Sequence, residues 1–132
     1  RFGRYNMTFY DVDELCAVDA VVGAFMLVRT AAIQQVGLLD ETFWMYGEDL
    51  DWAKRIKDAG WQVIYNPSVT VLHVKRASSK QNPRAQIEFY KAMPIFYYKH
   101  YYDSTPLLLH WLIMVGLALK GGRAVWPYLR LK

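Results

Sequence analysis

Residues Gly47 to Gly60, Gly-Glu-Asp-Leu-Asp-Trp-Ala-Lys-Arg-Ile-Lys-Asp-Ala-Gly, constrain this chain most. Trp52, Ile56 and Ala59 fall at i, i+4 and i+7, one apolar stripe of a helix. Glu48, Asp49 and Asp51 crowd its start, Lys54, Arg55 and Lys57 follow, and Gly60 suits a left-handed cap. That charge order matches the helix dipole. Asp51 and Arg55, four residues apart, are placed to pair on the outer face. All of this is ordinary helix construction. Two adjacent carboxylates just after a glycine and the aromatic run Phe43-Trp44-Met45-Tyr46 are less ordinary. Such a turn can hold an acid at the lip of a cleft, where general-base chemistry needs it.

The 132 residues suffice for one domain with a real core, and 54% of them are hydrophobic. Aromatic residues make up 16%, an excess that serves a core, a carbohydrate-stacking surface or a membrane interface equally well. A net charge of +4 favours anionic partners only mildly. The bases of the first hundred residues are too scattered for a nucleic-acid binder, so no nucleic-acid partner is expected. Cys16 is the single cysteine, which excludes an internal disulfide and a thiolate metal site and fits a buried structural thiol. Residue 1 is arginine and no signal-peptide pattern follows, so the chain reads as a piece of something longer.

In chain order, Asp11-Val12-Asp13 reads as a solvated loop. Val18 to Arg29 reads as a buried strand, pinched at Gly23 and Ala24 where something approaches the backbone. Thr30 offers an N-cap for a short helix over Ala31 to Val36, which Gly37 ends. Beyond Gly60 the spacing predicts a strand over Gln62 to Tyr65, a turn at Asn66-Pro67 and a strand over Val69 to Val74. His73 shares one face of that last strand with Val69 and Val71. By pattern alone it is either a packed or surface histidine or a ligand. Arg84 to Tyr102 is a helical stretch dense in aromatics that Pro94 should kink or split. Leu107 to Leu119 is a largely apolar run of thirteen residues, too short for a bilayer, which needs about 20. It reads as a buried helix or as an interfacial one whose basic flank faces anionic lipid.

Taken in order, Val22-Gly23-Ala24-Phe25-Met26-Leu27-Val28-Arg29, Val36-Gly37-Leu38-Leu39-Asp40-Glu41, Phe43 to Asp51, Ala59-Gly60-Trp61, Pro67 and His73 resemble the second half of a family 2 glycosyltransferase. Within that family the pattern is most similar to the rhamnosyltransferase-type enzymes of bacterial polysaccharide synthesis. The resemblance covers about residues 18–80. It implies a partial GT-A-type α/β (α+β) fold, a mixed sheet flanked by helices. Residues 1–83 would be the acceptor-side, base-bearing half, and residues 84–132 an aromatic, α-helical extension that associates with membrane.

The resemblance also implies roles. Asp49 of the Glu48-Asp49 pair would be the catalytic base, deprotonating an acceptor hydroxyl that attacks and inverts the anomeric carbon. Trp44 and Tyr46 would line the acceptor side, Asp51 would be a further substrate-binding residue, and Gly23 and Ala24 would admit donor or acceptor. His73 would help hold a divalent metal, manganese or magnesium, on the nucleotide diphosphate. The implied partners are a nucleotide-sugar donor, a saccharide or lipid-linked acceptor and the inner, cytoplasmic face of the cell membrane, with a homodimer as a further option. Family members carry a nucleotide-binding half before the Val18 segment, where this chain has 17 residues. Asp11-Val12-Asp13 lies too close to that segment to be the family's acidic triplet. The chain alone is therefore expected to be inactive. The reading from another class is a non-catalytic binding, assembly or membrane-docking module.

Overall fold

In a computed structural model that describes residues 11–74 and 84–130, the chain is mixed α/β. Its order is β1 (Cys16–Val18), α1 (Thr30–Val36), α2 (Glu48–Asp58), β2 (Val63–Tyr65), α3 (Arg84–His100) and α4 (Leu107–Gly121). Short 3₁₀ turns follow α3 at Tyr102–Ser104 and α4 at Gly122–Ala124 and Trp126–Arg130. Two compact units result, Arg1–Leu38 with Trp52–His73, and Leu39–Asp51 with Val74–Lys132. The division falls inside α2, after its first turn.

In the first unit β1 and β2 pair antiparallel, with Cys16 opposite Tyr65, Ala17 opposite Ile64 and Val18 opposite Val63. Among the described residues they are the whole sheet. Helices α1 and α2 pack Ala32, Ala53 and Ile56 into the core. Arg55 donates to the Val36 and Leu38 carbonyls, and Trp52 Nε1 donates to the Gly37 carbonyl at 2.9 Å. One helix thereby satisfies acceptors at the end of the other, groups that would otherwise need water. Gly37 ends α1 as expected, while Thr30 is its first residue and Arg29 the cap, with no side-chain capping bond.

Two expected strands do not form. Residues 19–29 have no regular structure beyond the end of β1, and Val22, Phe25 and Leu27 are exposed. Residues 69–74 likewise have none, and Leu72 is 95% exposed. Apolar content cannot make a strand by itself. The backbone needs a neighbouring strand for its hydrogen bonds, and no described strand pairs with either segment. The expected mixed sheet is thus a two-stranded antiparallel one among the described residues, and the layered arrangement built on three strands gives way with it.

The second unit is helical. Helix α3 runs unbroken through buried Pro94, so the expected split is absent. Packing of its aromatic face offsets a proline cost of about 3 kcal/mol. Tyr97 stacks on His110 with centroids 5.8 Å apart, and its hydroxyl lies 3.0 Å from His110 Nδ1. Tyr98 donates to the Leu129 carbonyl at 2.8 Å. Buried Glu88 takes Arg84 at 2.8 Å and Lys91 at 3.1 Å. Burial pushes its carboxyl up, but the two cations outweigh it and leave it below its ordinary value.

Candidate active site

The carboxylates that open α2 are placed by Gly47. Its φ of +91° is left-handed, and a Cβ there would meet the buried Phe43 ring at 3.0 Å and Ala92 at 3.4 Å. Both conformation and space therefore call for glycine. The Gly47 carbonyl accepts the Asp51 N–H at 2.8 Å, which opens the helix. Helix α2 then runs to Asp58, as its amphipathic pattern and caps led one to expect.

Three acids in that turn have three environments. Asp49 is half-exposed, and its Oδ1 accepts the Leu50 N–H at 2.8 Å. A carboxylate here sits at the positive end of the helix and remains within reach of solvent and ligand. Glu48 Oε2 is a buried oxygen with no hydrogen-bond partner among the described residues. Burial, with the Asp49 charge beside it, pushes the Glu48 carboxyl above its ordinary value. It therefore holds a proton more readily than a free glutamate does.

Asp51 corrects the sequence reading. It is fully buried, not on an outer face. Its Oδ1 lies 2.7 Å from His100 Nε2 and 2.7 Å from Lys99 Nζ, both at the C-terminal end of α3. Lys99 also pairs with Asp40, whose carboxyl also accepts from the Thr42 hydroxyl and, at 2.9 Å, its N–H. The Lys99 bond first, and the Thr42 bonds next, hold the Asp40 carboxyl far below the usual carboxylate range. Lys99 thus ties the loop before α2 to its first turn. An acid with no accessible surface does not contact a substrate, so Asp51 acts here as a strut.

Trp44 is half-exposed, with the Arg84 guanidinium 4.5 Å above its ring. Tyr46 meets Phe89 edge-on at 5.6 Å. Trp44, Tyr46, Glu48, Asp49 and Asp51 therefore belong to one unit. Gly23, Ala24 and His73 belong to the other. There Ala24 lines a cleft of about 870 Å³ with Phe25, Val28, Ala32, Ile56 and Ile64. His73 is exposed in irregular chain, off the apolar strand face expected for it. Among the described residues no three His, Cys, Asp or Glu gather to hold an ion. His73 alone is no metal centre, and no step is derived through a metal. Asp11 and Asp13 are exposed, with the Asp13 N–H bonded to Asp11 Oδ1 at 3.0 Å, a local loop. Lys99 and His100 were missed from sequence, and Asp40 stood there only inside a motif, without its Lys99 pairing. Two bases ending an aromatic helix are the only local signal, and they do not name their partner.

A family model described as "Glycosyltransferase like family 2" matches residues 1–86. The chain belongs to that family. It is 36% identical over 109 residues to an N-acetylglucosaminyl-diphospho-decaprenol L-rhamnosyltransferase of Mycobacterium tuberculosis, covering 82% of this chain and 36% of the relative. It is 38% identical over 56 residues to the rhamnosyltransferase WbbL of Escherichia coli K12, covering 42% of this chain and 21% of that protein. The chain thus spans about a third of the length of the mycobacterial relative. No solved structure matches it. Both relatives are rhamnosyltransferases, the subgroup its motifs resemble.

Proposed function

We propose that this family 2 glycosyltransferase chain supplies the acceptor side and the catalytic base of an inverting rhamnosyltransferase. The observation that carries the reading is Asp49, half-exposed at the N-terminus of α2 and next to a carboxyl held toward its neutral form. Asp49 takes the proton of an acceptor hydroxyl. The freed oxygen bonds to the anomeric carbon as the bond to the nucleoside diphosphate breaks and the diphosphate leaves with its electron pair. The base must lie within about 3 Å of that hydroxyl. Attack from the face opposite the leaving group inverts the centre. Trp44 and Tyr46 present aromatic faces for the acceptor sugar, and the Gly23–Ala24 segment admits donor or acceptor.

The mycobacterial relative's name supports L-rhamnose as the sugar and a diphospho-lipid-linked N-acetylglucosamine as the acceptor. A lipid-linked acceptor would put the reaction at the cytoplasmic face of the membrane. A divalent ion on the donor diphosphate would need ligands beyond His73. The test is transfer by the full-length protein from a nucleotide-diphosphate L-rhamnose to a lipid-linked N-acetylglucosamine acceptor, with the product anomer read by NMR. Transfer with inversion is expected. A retained configuration, or no transfer to any lipid-linked acceptor, would overturn the reading.

A further inference from the structure

Helix α4 has two unlike faces. Met114 is buried, with the Tyr98 hydroxyl 3.5 Å from its sulfur, while His110 meets Tyr97. On the other side Leu108, Trp111, Leu112, Val115 and Leu119 are all exposed, Leu108 by 76% and Leu119 by 80%. At 3.6 residues per turn these five fall in one stripe about 100° wide, whose centre points away from His110 and Met114. Proteins rarely leave a contiguous leucine and tryptophan stripe of this kind in water unless something covers it. Exposed Trp126 follows just beyond the helix.

Charge says what covers it. From Ser104 to Lys132 the sequence holds no aspartate or glutamate, and it holds Lys120, Arg123, Arg130 and Lys132. Lys120 and Arg123 are exposed immediately after the apolar stripe. A second copy of the chain would bring the same uncompensated bases to the contact, whereas an anionic headgroup layer pairs with them. No described helix is long and apolar enough to cross a membrane. The fifteen residues of α4 reach about 22 Å against a hydrocarbon core of about 30 Å. The stripe can lie in the interface but cannot span it, and tryptophan favours that depth.

We propose that the Leu108–Leu119 face of α4 docks on an anionic lipid surface, with Lys120 and Arg123 on the headgroups. This face stands independently of the transfer reaction, and its test reads no transfer. The full-length protein is floated with vesicles of phosphatidylcholine alone or mixed with phosphatidylglycerol, at low and raised salt. It is expected to float with the mixed vesicles and less with phosphatidylcholine alone. Replacing Leu108, Trp111 and Leu112 together by serine should lower vesicle affinity at least about tenfold. Lys120→Glu with Arg123→Glu, both on exposed side chains, should lower it about tenfold on anionic vesicles alone and weaken the salt dependence. Thermal melting checks that each variant folds, and the charge pair keeps the test open should the serine triple not. Absence of flotation at low salt would overturn the proposal, as would a folded serine triple that binds like the parent. A dimer that the serine triple splits, with no flotation of either form, would assign the face to a second copy instead.

Discussion

The first turn of α2 and the segment over residues 19–29 both carry residues singled out for one reaction, yet the chain treats them oppositely. The turn is tied down. Gly47 fixes its entry, buried Asp51 takes Lys99 and His100, and Lys99 reaches on to Asp40. The 19–29 segment, equally apolar in sequence, has no regular structure and leaves Leu27 87% exposed. A general base needs a fixed geometry, because a misplacement of about 1 Å costs rate. Under the proposed function, the 19–29 segment would only have to let a ligand pass the backbone, which asks for small residues such as Gly23 and Ala24.

That contrast can be broken by substitution. The largest expected loss is at Asp51. Asp51→Ala leaves His100 and Lys99 without their buried carboxylate and should cost about 3 kcal/mol, read by urea unfolding. Lys99 keeps Asp40 as a partner, which sets the figure at the low end for a broken buried pair. Next is Gly47→Ala, at about 2 kcal/mol, because strain at positive φ adds to a collision with the Phe43 ring. Gly60→Ala shares the φ of +91° but meets nothing within 4 Å, so about 1 kcal/mol is expected there. At the small end, Val22→Ala and Leu27→Ala should each move stability by no more than about 0.5 kcal/mol. A loss at Leu27 as large as that at Asp51 would erase the contrast.

Acid should act on the same turn. The Asp40 carboxyl is lowered in the folded chain, so its pairing stabilises fully above the unfolded value of 3.8 and is lost as pH falls toward the lower folded value. Melting temperature should therefore drop as pH is taken below about 4. Lys99→Met, which removes the largest cause of the shift, should flatten that drop.

Sequence made α2 legible because a glycine at each end, acids first and bases last, and an apolar stripe all act within the helix itself. Helix α1, the β2 strand and α4 were legible for similar local reasons. The faces were not. Asp51 carried the signature of an outer-face acid, and its burial depends on Lys99 and His100, about fifty positions on. For α4 the apolar run announced a helix, but which leucines stay bare depends on where Tyr97 and Tyr98 hold His110 and Met114. Strands failed for a kindred reason. Val18 to Arg29 has strand composition, but strand formation depends on neighbours and context more than on composition. The role of Asp49 came from resemblance, since its own geometry is that of many helix-opening acids.

The most direct measurement is the turnover of the full-length protein carrying Asp49→Asn, under saturating donor and acceptor. The amide keeps the size of the carboxylate but cannot take the proton. Turnover should fall by about a hundredfold or more, with donor binding and melting temperature near those of the parent. Turnover within a few-fold of the parent would mean that another group takes the acceptor's proton, and that the tied turn of α2 is held for structure alone.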